Sequence, residues 1–419
     1  MRLPENTLRE YAHLIGDSGI VEELERCCRD PCDLVHMYVA RPHPNLRVSQ
    51  RDIWKALKAP CVGKGMTDAQ ARASALGEAV ERYSGVFRGD ELRIKSSYRA
   101  LIGRAIHPNA CMNFSARQYR DREEWNRRES QHNWVPEPFD EDREIEWTPV
   151  WSLTAERWKY VATAYCYFGY PFSAANDFCR ADSNGNAAGP TLDEAFLHGF
   201  LEVVERDSVS LWWYNRTRRR GVELSSFGEP YFQALAEIHR TLKREMHVLD
   251  ITADLPIPTF AGVSIGRKGK GDLLLGFGAH LEPRIAIGRA LTEMNQFLGR
   301  VIAGESPNFF AGELLESCFL WPDPAGVNTR ENYTHYDTED PRNALRTCVE
   351  MAGKRTLETL ALDQTRVECG MPVAKVFVPG MRPWWARFGP GRLYSVPVEM
   401  GWRATPLLEE QLNTCHLTV

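Results

Sequence analysis

Acidic side chains recur at helical spacing in two segments of the sequence. Ser74, Glu78 and Glu81 stand at i, i+4 and i+7 in KGMTDAQARASALGEAVERYSG, so a helix over about residues 68–86 places them on one face. A second helix, over about residues 192–214, carries four polar side chains among apolar ones, at spacings of 4, 4 and 3: Glu194, His198, Glu202 and Glu205. Buried carboxylates are costly unless they are paired or bound to a metal ion. These two sets of residues, each a polar stripe along one helix, therefore predict a polar pocket packed against other elements.

A third helix, in GAHLEPRIAIGRALTEMNQFLGR, adds positive charge. Its polar residues recur at spacings of 4, 3 and 4: Arg289, Glu293, Gln296 and Arg300. If the three stripes converge, the combination suits a magnesium-bound nucleotide, because hard oxygen ligands hold Mg2+ while Arg and Lys neutralise phosphate oxygens. Lys64, in the Gly-Lys-Gly sequence before the first helix, is a further candidate for an anion contact. Taken alone, each stripe also fits the solvated face of an amphipathic helix, and that alternative stays open.

Helical and strand-like segments alternate along the chain, which favours an α/β fold of the α+β layered kind. Capping-box pairs mark two helix starts: Thr67 with Gln70, and Thr191 with Glu194. Further helices are predicted at 6–29 and 343–363, and strands at 34–40, 160–167, 246–251, 258–263, 273–277 and in VAKVFVPG. We expect a helical and strand segment at 1–59 and a main domain at 60–419, which includes an exposed, loop-rich insertion at 112–148 and a surface loop at 305–343.

The composition argues against several classes of protein. The 419 residues are 43% apolar and 26% charged, the balance of a globular protein with a large core. A net charge of -5 gives no field that attracts nucleic acid or an anionic membrane, and no stretch approaches the roughly 20 apolar residues that cross a bilayer. Eleven cysteines are an odd number, and no export signal is present, so reduced thiols and a cytoplasmic location are expected. No Walker sequence is present either.

Three blocks of the sequence closely resemble signature segments of the YcaO family: GKGMTDAQARASALGEAVERYSG, SNGNAAGPTLDEAFLHGFLEVVERD and GAHLEPRIAIGRALTEMNQ. The resemblance covers about residues 60–400 and implies the YcaO fold, in which clustered helices hold ATP through Mg2+ ions. The Mg2+ ligands that it implies are Glu78, Glu81, Glu202 and Glu205. The candidate nucleotide contacts are Lys64, Ser74, Glu81, Glu194, His198, Glu202, Arg206 and Arg289. The candidate catalytic residues are Glu78, Glu205, Arg206 and Arg289.

Within the family, the segment VPGMRPWWARFGPGRLYSVPVEMGW resembles the azoline-forming cyclodehydratases that modify ribosomally made peptides. The implied reaction is attack by a Cys, Ser or Thr side chain on the preceding amide, phosphorylation of the amide oxygen by ATP, and loss of phosphate. The implied partners are a precursor peptide and a separate leader-binding protein resembling ubiquitin-activating enzymes. A flavin-dependent azoline dehydrogenase and a homodimer are implied as well.

Some positions depart from the pattern of these cyclodehydratases. They usually end in Pro-x-Pro-x-Pro, which the segment LNTCHLTV does not contain, and Pro190 and His198 stand where some members carry Asn and Gln. Thioamide or amidine formation therefore stays open as an alternative activity. A catalytically inactive scaffold that binds leader peptide or partner is a second alternative, although such a scaffold has no need for clustered carboxylates.

Overall fold

The computed structural model describes residues 3–27, 34–43, 61–129, 131–171, 177–266, 273–302 and 317–417. Within them the α-helices are, in chain order, α1 (Pro4–Glu10), α2 (Asp68–Ser84), α3 (Pro108–Met112), α4 (Ala116–Arg120), α5 (Arg122–Arg128), α6 (Thr163–Cys166), α7 (Leu192–Asn215), α8 (Pro230–Thr241), α9 (Pro283–Asn295), α10 (Leu298–Ile302), α11 (Pro341–Lys354) and α12 (Arg392–Glu399). No helix among the described residues is long and apolar enough to cross a membrane.

The strands of the described residues form three sheets. The strands are β1 (Val21–Arg26), β2 (His36–Pro42), β3 (Cys61–Gly65), β4 (Ile94–Ser96), β5 (Ile145–Ser152), β6 (Arg157–Ala162), β7 (Asn186–Ala188), β8 (Gly221–Val222), β9 (Arg244–Asp250), β10 (Thr259–Gly266), β11 (Leu273–Ala279), β12 (Val327–Asn328), β13 (Leu360–Asp363) and β14 (Val373–Phe377). The strand orders are β1-β2-β3, β11-β10-β9-β8-β12 and β4-β5-β13-β14-β7, with β6 also pairing with β5. The pairings are antiparallel except that of β8 with β12. The mixture of helices and sheets agrees with the predicted α/β class.

Helix α7 lies at the centre of the molecule. It packs against β11 of the five-stranded sheet and against β14 and β7 of the six-stranded sheet, as well as against α11 and α12. The Thr191 hydroxyl caps it by accepting a hydrogen bond from the N–H of Glu194 at 3.2 Å, as its sequence predicts. Because most of the helix is buried, most of its polar side chains lie against other protein elements.

Glycines let helix α2 lie close to strand β3, and helix α9 lie close to strand β11. A Cβ atom at Gly63 of β3 would lie 2.1 Å from the backbone of both Ala71 and Ala75 of α2, and one at Gly278 of β11 would lie 2.1 Å from the carbonyl oxygen of Ala286 of α9. Both contacts are shorter than real Cβ contacts, so only glycine fits at these positions. This close packing sets the positions of α2 and α9, the helices that carry the first and third polar stripes.

We expect Gly63→Ala to lower the free energy of unfolding by about 1–3 kcal/mol, because its new methyl group would displace α2 from β3. Gly77→Ala is the matched control, since Gly77 lies inside α2 and its added Cβ would lie 3.9 Å from its nearest neighbour, the Cβ of Ala188. That variant is expected to raise the free energy of unfolding by about 0.5–1 kcal/mol. Chemical denaturation of both variants tests the pair, and equal stabilities would contradict the close approach at Gly63.

Some predicted elements differ from the structure. The helix predicted at 6–29 ends at Glu10, and β1 follows after Gly16, whose φ of +101° stops a helix. The helix predicted at 343–363 ends at Lys354, because the chain turns at Thr356 with a φ of +58° and continues as β13. The strand predicted at 160–167 ends at Ala162, where α6 follows.

The segment 112–148 is exposed at many of its charged residues, as predicted, but other parts of it are buried. Gln118 and Asn133 are buried. Their side-chain oxygens accept hydrogen bonds from the N–H groups of Phe388 and Ala386, at 2.9 and 3.0 Å. Polar side chains of this segment therefore provide hydrogen-bond partners for backbone N–H groups near residues 386–388. Of the loop predicted at 305–343, residues 305–316 lie outside the described residues. The domain boundary at residue 60 falls between β2 and β3, which pair with each other, and it stays a prediction.

Candidate active site

The acidic faces of α2 and α7 meet in a partly buried region, where the side chains of Glu78 and Glu202 are 36% and 25% exposed. Burial is the main reason that the pKa of Glu81 lies well above its usual range, and the carboxylates of Glu202 and Glu78 raise it further. Burial also raises the pKa of Glu202 and of Glu78. The charges of these groups are thus only partly compensated by the protein. The first two stripes converge, which excludes the alternative of two separate solvated faces.

The third helix joins the cluster at the end of β11. A carboxylate oxygen of Glu205 accepts a hydrogen bond from the N–H of Ala279 at 3.0 Å, and Nη1 of Arg289 donates to the carbonyl oxygen of Ala279 at 3.2 Å. Glu293 accepts from the N–H of Phe277 at 3.3 Å. Burial, and then the charges of neighbouring glutamates, raise the pKa of Glu205 to about 8. The end of β11 therefore brings the polar faces of α7 and α9 together.

Cations from several elements lie among these carboxylates. The ion pairs are Arg82 with Glu78 at 2.8 Å, Lys64 with Glu293, and Arg206 with Glu202. Arg289 is partly buried. Desolvation lowers its pKa, while the nearby charge of Glu205 acts in the opposite direction. The site therefore combines several acidic groups with several basic ones.

Lys375 and Glu293 belong to this cluster, although the sequence did not assign either of them a role. Lys375 of β14 is fully buried, and its ammonium donates to the side-chain oxygen of Asn186 at 2.8 Å. Burial lowers its pKa, and nearby acidic groups including Glu202 act against that shift. Two features of the sequence could have pointed to these residues. Lys375 is a lone lysine in the apolar strand VAKVFVPG, and Glu293 lies one turn after Arg289 on the third helix.

Two predicted nucleotide contacts lie toward the starts of their helices. Ser74 is exposed on α2. Glu194 is buried at the start of α7, where its carboxylate accepts a hydrogen bond from the Thr191 hydroxyl at 3.4 Å. Glu194 therefore takes part in the cap of α7. The side chain of Arg300, which completes the third stripe, lies outside the described residues.

His198 presents an unpaired ring nitrogen. Its Nδ1 lies 3.4 Å from the carbonyl oxygen of Ala188, and its Nε2 is buried without a hydrogen-bond partner in the described part of the chain. Burial, and then the charge of Arg289, lower the pKa of His198 to about 4, so the ring is neutral at neutral pH. When Nδ1 carries the proton, Nε2 is an acceptor for a ligand that brings a donor.

The cluster suits Mg2+ and a nucleotide by its chemistry. Among the described residues, no group of three or more His, Cys, Asp or Glu side chains is arranged to hold a metal ion by itself. Mg2+ usually takes one or two carboxylates and completes its coordination with phosphate oxygens and water. Because the carboxylates are incompletely neutralised, added positive charge is favourable here. The residues therefore fit an Mg2+ nucleotide complex whose phosphates supply some of the ligands.

Comparison with known proteins places the chain in a family. A model of the YcaO cyclodehydratases, described as ATP- and Mg2+-binding, matches residues 62–382. The chain belongs to the YcaO family. The family assignment made from the sequence is thus confirmed, together with the cofactors ATP and Mg2+ that characterise this family. The matched span contains the candidate site residues, from Lys64 of β3 to Lys375 of β14.

Relatives of this YcaO chain include one that is uncharacterised. That protein, from Methanothermobacter thermautotrophicus, is 28% identical over an alignment of 333 residues, which covers 76% of this chain and 80% of the relative. A heterocyclase solved in complex with substrate and cofactor is 47% identical with a TM-score of 0.92, and the heterocyclase TruD is 44% identical with a TM-score of 0.82. Both structural matches cover 100% of this chain but only 57% and 55% of the heterocyclase chains. This chain therefore spans little more than half the length of the heterocyclases it matches.

Without Mg2+ and nucleotide, we expect the free energy of unfolding to fall as the pH rises. The folded pKa of Glu205 is raised from 4.5 to about 8, and those of Glu81 and Glu202 shift in the same direction. The folded state therefore keeps protons that the unfolded chain releases, and this stabilisation is lost as the pH rises through the folded pKa. Thermal unfolding in EDTA between about pH 7 and about pH 9 measures the effect. Below this range, buried histidines with lowered pKa values, such as His198 and His239, contribute a slope of opposite sign.

Glu205→Gln provides the control for this pH dependence, since the amide cannot titrate. We expect a flatter decline in this variant, with the remaining slope coming from the other carboxylates of the cluster. If stability instead increased over the same pH range in the unmodified protein, the cluster would not hold the extra protons.

Proposed function

We propose that this YcaO chain is an ATP- and Mg2+-dependent cyclodehydratase that forms thiazoline or oxazoline rings in a ribosomally made peptide. The observation that carries the proposal is the partly buried cluster in which incompletely neutralised carboxylates of α2 and α7 meet cations of β3 and α9. The similarity of this chain to parts of two heterocyclases supports the same reaction class.

In the proposed reaction, a Cys, Ser or Thr side chain of the peptide loses its proton and attacks the carbonyl carbon of the preceding amide. The amide oxygen then takes the terminal phosphoryl group of ATP, and ADP leaves. Loss of phosphate and of the amide proton forms the C=N bond of the ring. An amide oxygen is a very poor leaving group, so its conversion into a phosphate ester makes the last step feasible. The protein contributes positioning and charge neutralisation.

The carboxylates and cations of the site have separate roles in Mg2+ binding, nucleotide binding and catalysis. We assign Mg2+ binding to Glu78, Glu81, Glu202 and Glu205. The nucleotide is held by Lys64, Ser74, Glu81, Glu194, His198, Glu202, Arg206 and Arg289. Glu78, Glu205, Arg206 and Arg289 act in catalysis by placing charge beside the phosphoryl group. Bound Mg2+ supplies further neutralisation of the phosphate oxygens.

The proposal extends to partners. The substrate is a precursor peptide, presented by a leader-binding partner protein that resembles ubiquitin-activating enzymes. A flavin-dependent dehydrogenase oxidises the azolines in turn, and the chain acts as a homodimer in the cytoplasm. The heterocyclase solved with a bound substrate supports a site that accepts a substrate beside the cofactor.

The test follows phosphate release and peptide mass in one reaction. The purified protein is incubated with ATP, Mg2+ and the precursor peptide encoded beside it, with and without the neighbouring partner protein. Each ring should remove the mass of one water molecule from the peptide and release one phosphate. A precursor whose Cys, Ser and Thr residues are replaced by Ala is the control, and it should gain no ring.

Other outcomes of this experiment identify the alternatives. Exchange of an amide oxygen for sulfur, when sulfide is supplied, would indicate a thioamide-forming enzyme in place of a cyclodehydratase. If the peptide mass does not change and no nucleotide binds even with the partner present, the chain is a scaffold and the proposed function is wrong.

A further inference from the structure

Hydrogen bonds alone do not fix the position of Arg206. Its guanidinium forms an ion pair with Glu202, but its contacts to the hydroxyl of Ser183 are long, at 3.4 and 3.5 Å. Its Nε is buried without a hydrogen-bond partner in the described part of the chain. A guanidinium can donate five hydrogen bonds. Arg206 therefore keeps unused donors beside the carboxylate cluster.

Two indole rings provide the missing support. The guanidinium carbon of Arg206 lies 4.5 Å from the ring centre of Trp384 and 5.4 Å from that of Trp385, within the range of a cation–π interaction. Both tryptophans are buried, and such an interaction is stronger where water is excluded. The attraction comes from the whole ring face and does not use up N–H groups. The guanidinium can therefore change its hydrogen-bond partner while the rings still hold it.

The backbone of this tryptophan segment is anchored independently of its rings. The N–H of Arg382 donates to a carboxylate oxygen of Asp207 at 2.8 Å, and the Tyr214 hydroxyl donates to the carbonyl oxygen of Trp384 at 2.9 Å. Asp207 directly follows Arg206 on α7, so the segment and the guanidinium are fixed to the same helix. The span matched by the family model ends at residue 382, two residues before the first of the two rings.

We propose that Trp384 and Trp385 are positioning residues. They keep the guanidinium of Arg206 in place when the Glu202 carboxylate binds Mg2+, and they so present the guanidinium to the phosphate oxygens of the nucleotide. A carboxylate that shares its charge with Mg2+ attracts a guanidinium less strongly, so Arg206 then needs the rings. The inference rests on the proposed nucleotide site but not on the ring-forming reaction.

The first test is a double-mutant cycle on unfolding, with no nucleotide or metal present. Arg206→Gln and Trp384→Leu are each measured alone and together. We expect the two changes to be coupled by roughly tenfold in the unfolding equilibrium constant, because loss of the ring matters less once the cation is gone. Trp212→Leu with Arg206→Gln is the control cycle. Trp212 is also buried on α7, but its ring packs against Phe277 and Phe319, so this cycle should be additive.

The second test measures the dissociation constant of the β,γ-methylene analogue of ATP in the presence of Mg2+. Trp384→Leu and Trp385→Leu should each weaken binding by roughly tenfold. Trp384→Phe should keep most of the affinity, because a benzene ring still offers a face to the cation. In the Arg206→Gln background, Trp384→Leu should cause no further loss. If Trp384→Leu does not fold, both tests are made with Trp385→Leu, because the ring of Trp385 contacts the same guanidinium.

Two results would overturn the inference alone: an additive cycle for Arg206 and Trp384, or equal loss of affinity in the Phe and Leu variants of Trp384. An unmodified protein that binds no nucleotide would overturn the proposed site, and the inference with it. The two failures are thus distinguished by the binding measurement on the unmodified protein.

Discussion

Glu205→Gln is expected to lower the proposed ATP-dependent ring formation by at least about a hundredfold while leaving the fold intact. Gln has nearly the shape of Glu, and its side-chain oxygen can still accept the hydrogen bond from the N–H of Ala279, which is 3.0 Å long in the structure. What the variant loses is the negative charge that would meet Mg2+. Phosphate release and peptide mass, measured at saturating ATP, test this prediction.

A second measurement separates loss of the metal site from loss of structure. Mg2+ with the β,γ-methylene analogue of ATP should raise the unfolding temperature of the unmodified protein, because a ligand that binds only the folded state stabilises it. Glu205→Gln should lose most of this increase. Glu237→Gln is the matched control, since Glu237 is exposed on α8 and pairs with Arg240. If Glu205→Gln keeps both activity and metal-dependent stabilisation, Glu205 takes no part in the site.

Asp207→Ala is expected to lower the free energy of unfolding by about 3–5 kcal/mol. Asp207 is 1% exposed and accepts from Nη2 of Arg392 at 2.6 Å, while the same nitrogen donates to Asp254 at 2.6 Å. It also accepts from the N–H of Arg382 at 2.8 Å. Removing the carboxylate leaves a buried guanidinium short of charge and a backbone donor without its partner. Chemical denaturation followed by tryptophan fluorescence measures the loss.

Asp193→Ala serves as the control for this buried network. Asp193 pairs with Arg342 at 3.1 Å on the surface, where the arginine side chain is 78% exposed. An exposed ion pair contributes about 0–1 kcal/mol, so this substitution should change the free energy of unfolding little. Similar losses for Asp207→Ala and Asp193→Ala would mean that burial of the network does not contribute to stability.

Several local features could be predicted from the sequence because they depend on neighbouring residues. The helix predicted from residue 68 begins at Asp68, where the Thr67 hydroxyl accepts from the N–H of Gln70 at 3.2 Å. The Gln70 side chain accepts from the N–H of Met66, one residue before the position that a capping box uses. The strands predicted at 246–251, 258–263 and 273–277 correspond to β9, β10 and β11. Periodicity and capping act within one or two turns, so they can be recognised without the fold.

Elements whose form depends on distant partners were the ones predicted wrongly. The charged segment at 21–26 has no strong local preference, and pairing with β2 makes it a strand. Polar residues of 112–148 suggested exposure, yet Gln118 is buried because it bonds to the backbone of residues 386 and 388. Local composition cannot show that a hydrogen-bond partner lies more than two hundred residues away.

The sequence by itself determined the helical stripes, the family and most of the acidic residues that meet in the cluster, since each stripe follows from the 3.6-residue period of its own helix. Only the tertiary structure decided how those stripes face one another. It also placed Lys375 beside Glu202 and stacked Trp384 over Arg206. These contacts join residues far apart in the chain, through packing that depends on Gly63 and Gly278 at two helix–strand interfaces. The charge balance of the site, which raises the pKa of Glu205 to about 8, follows from burial and from neighbours on other elements, and neither is encoded in local spacing.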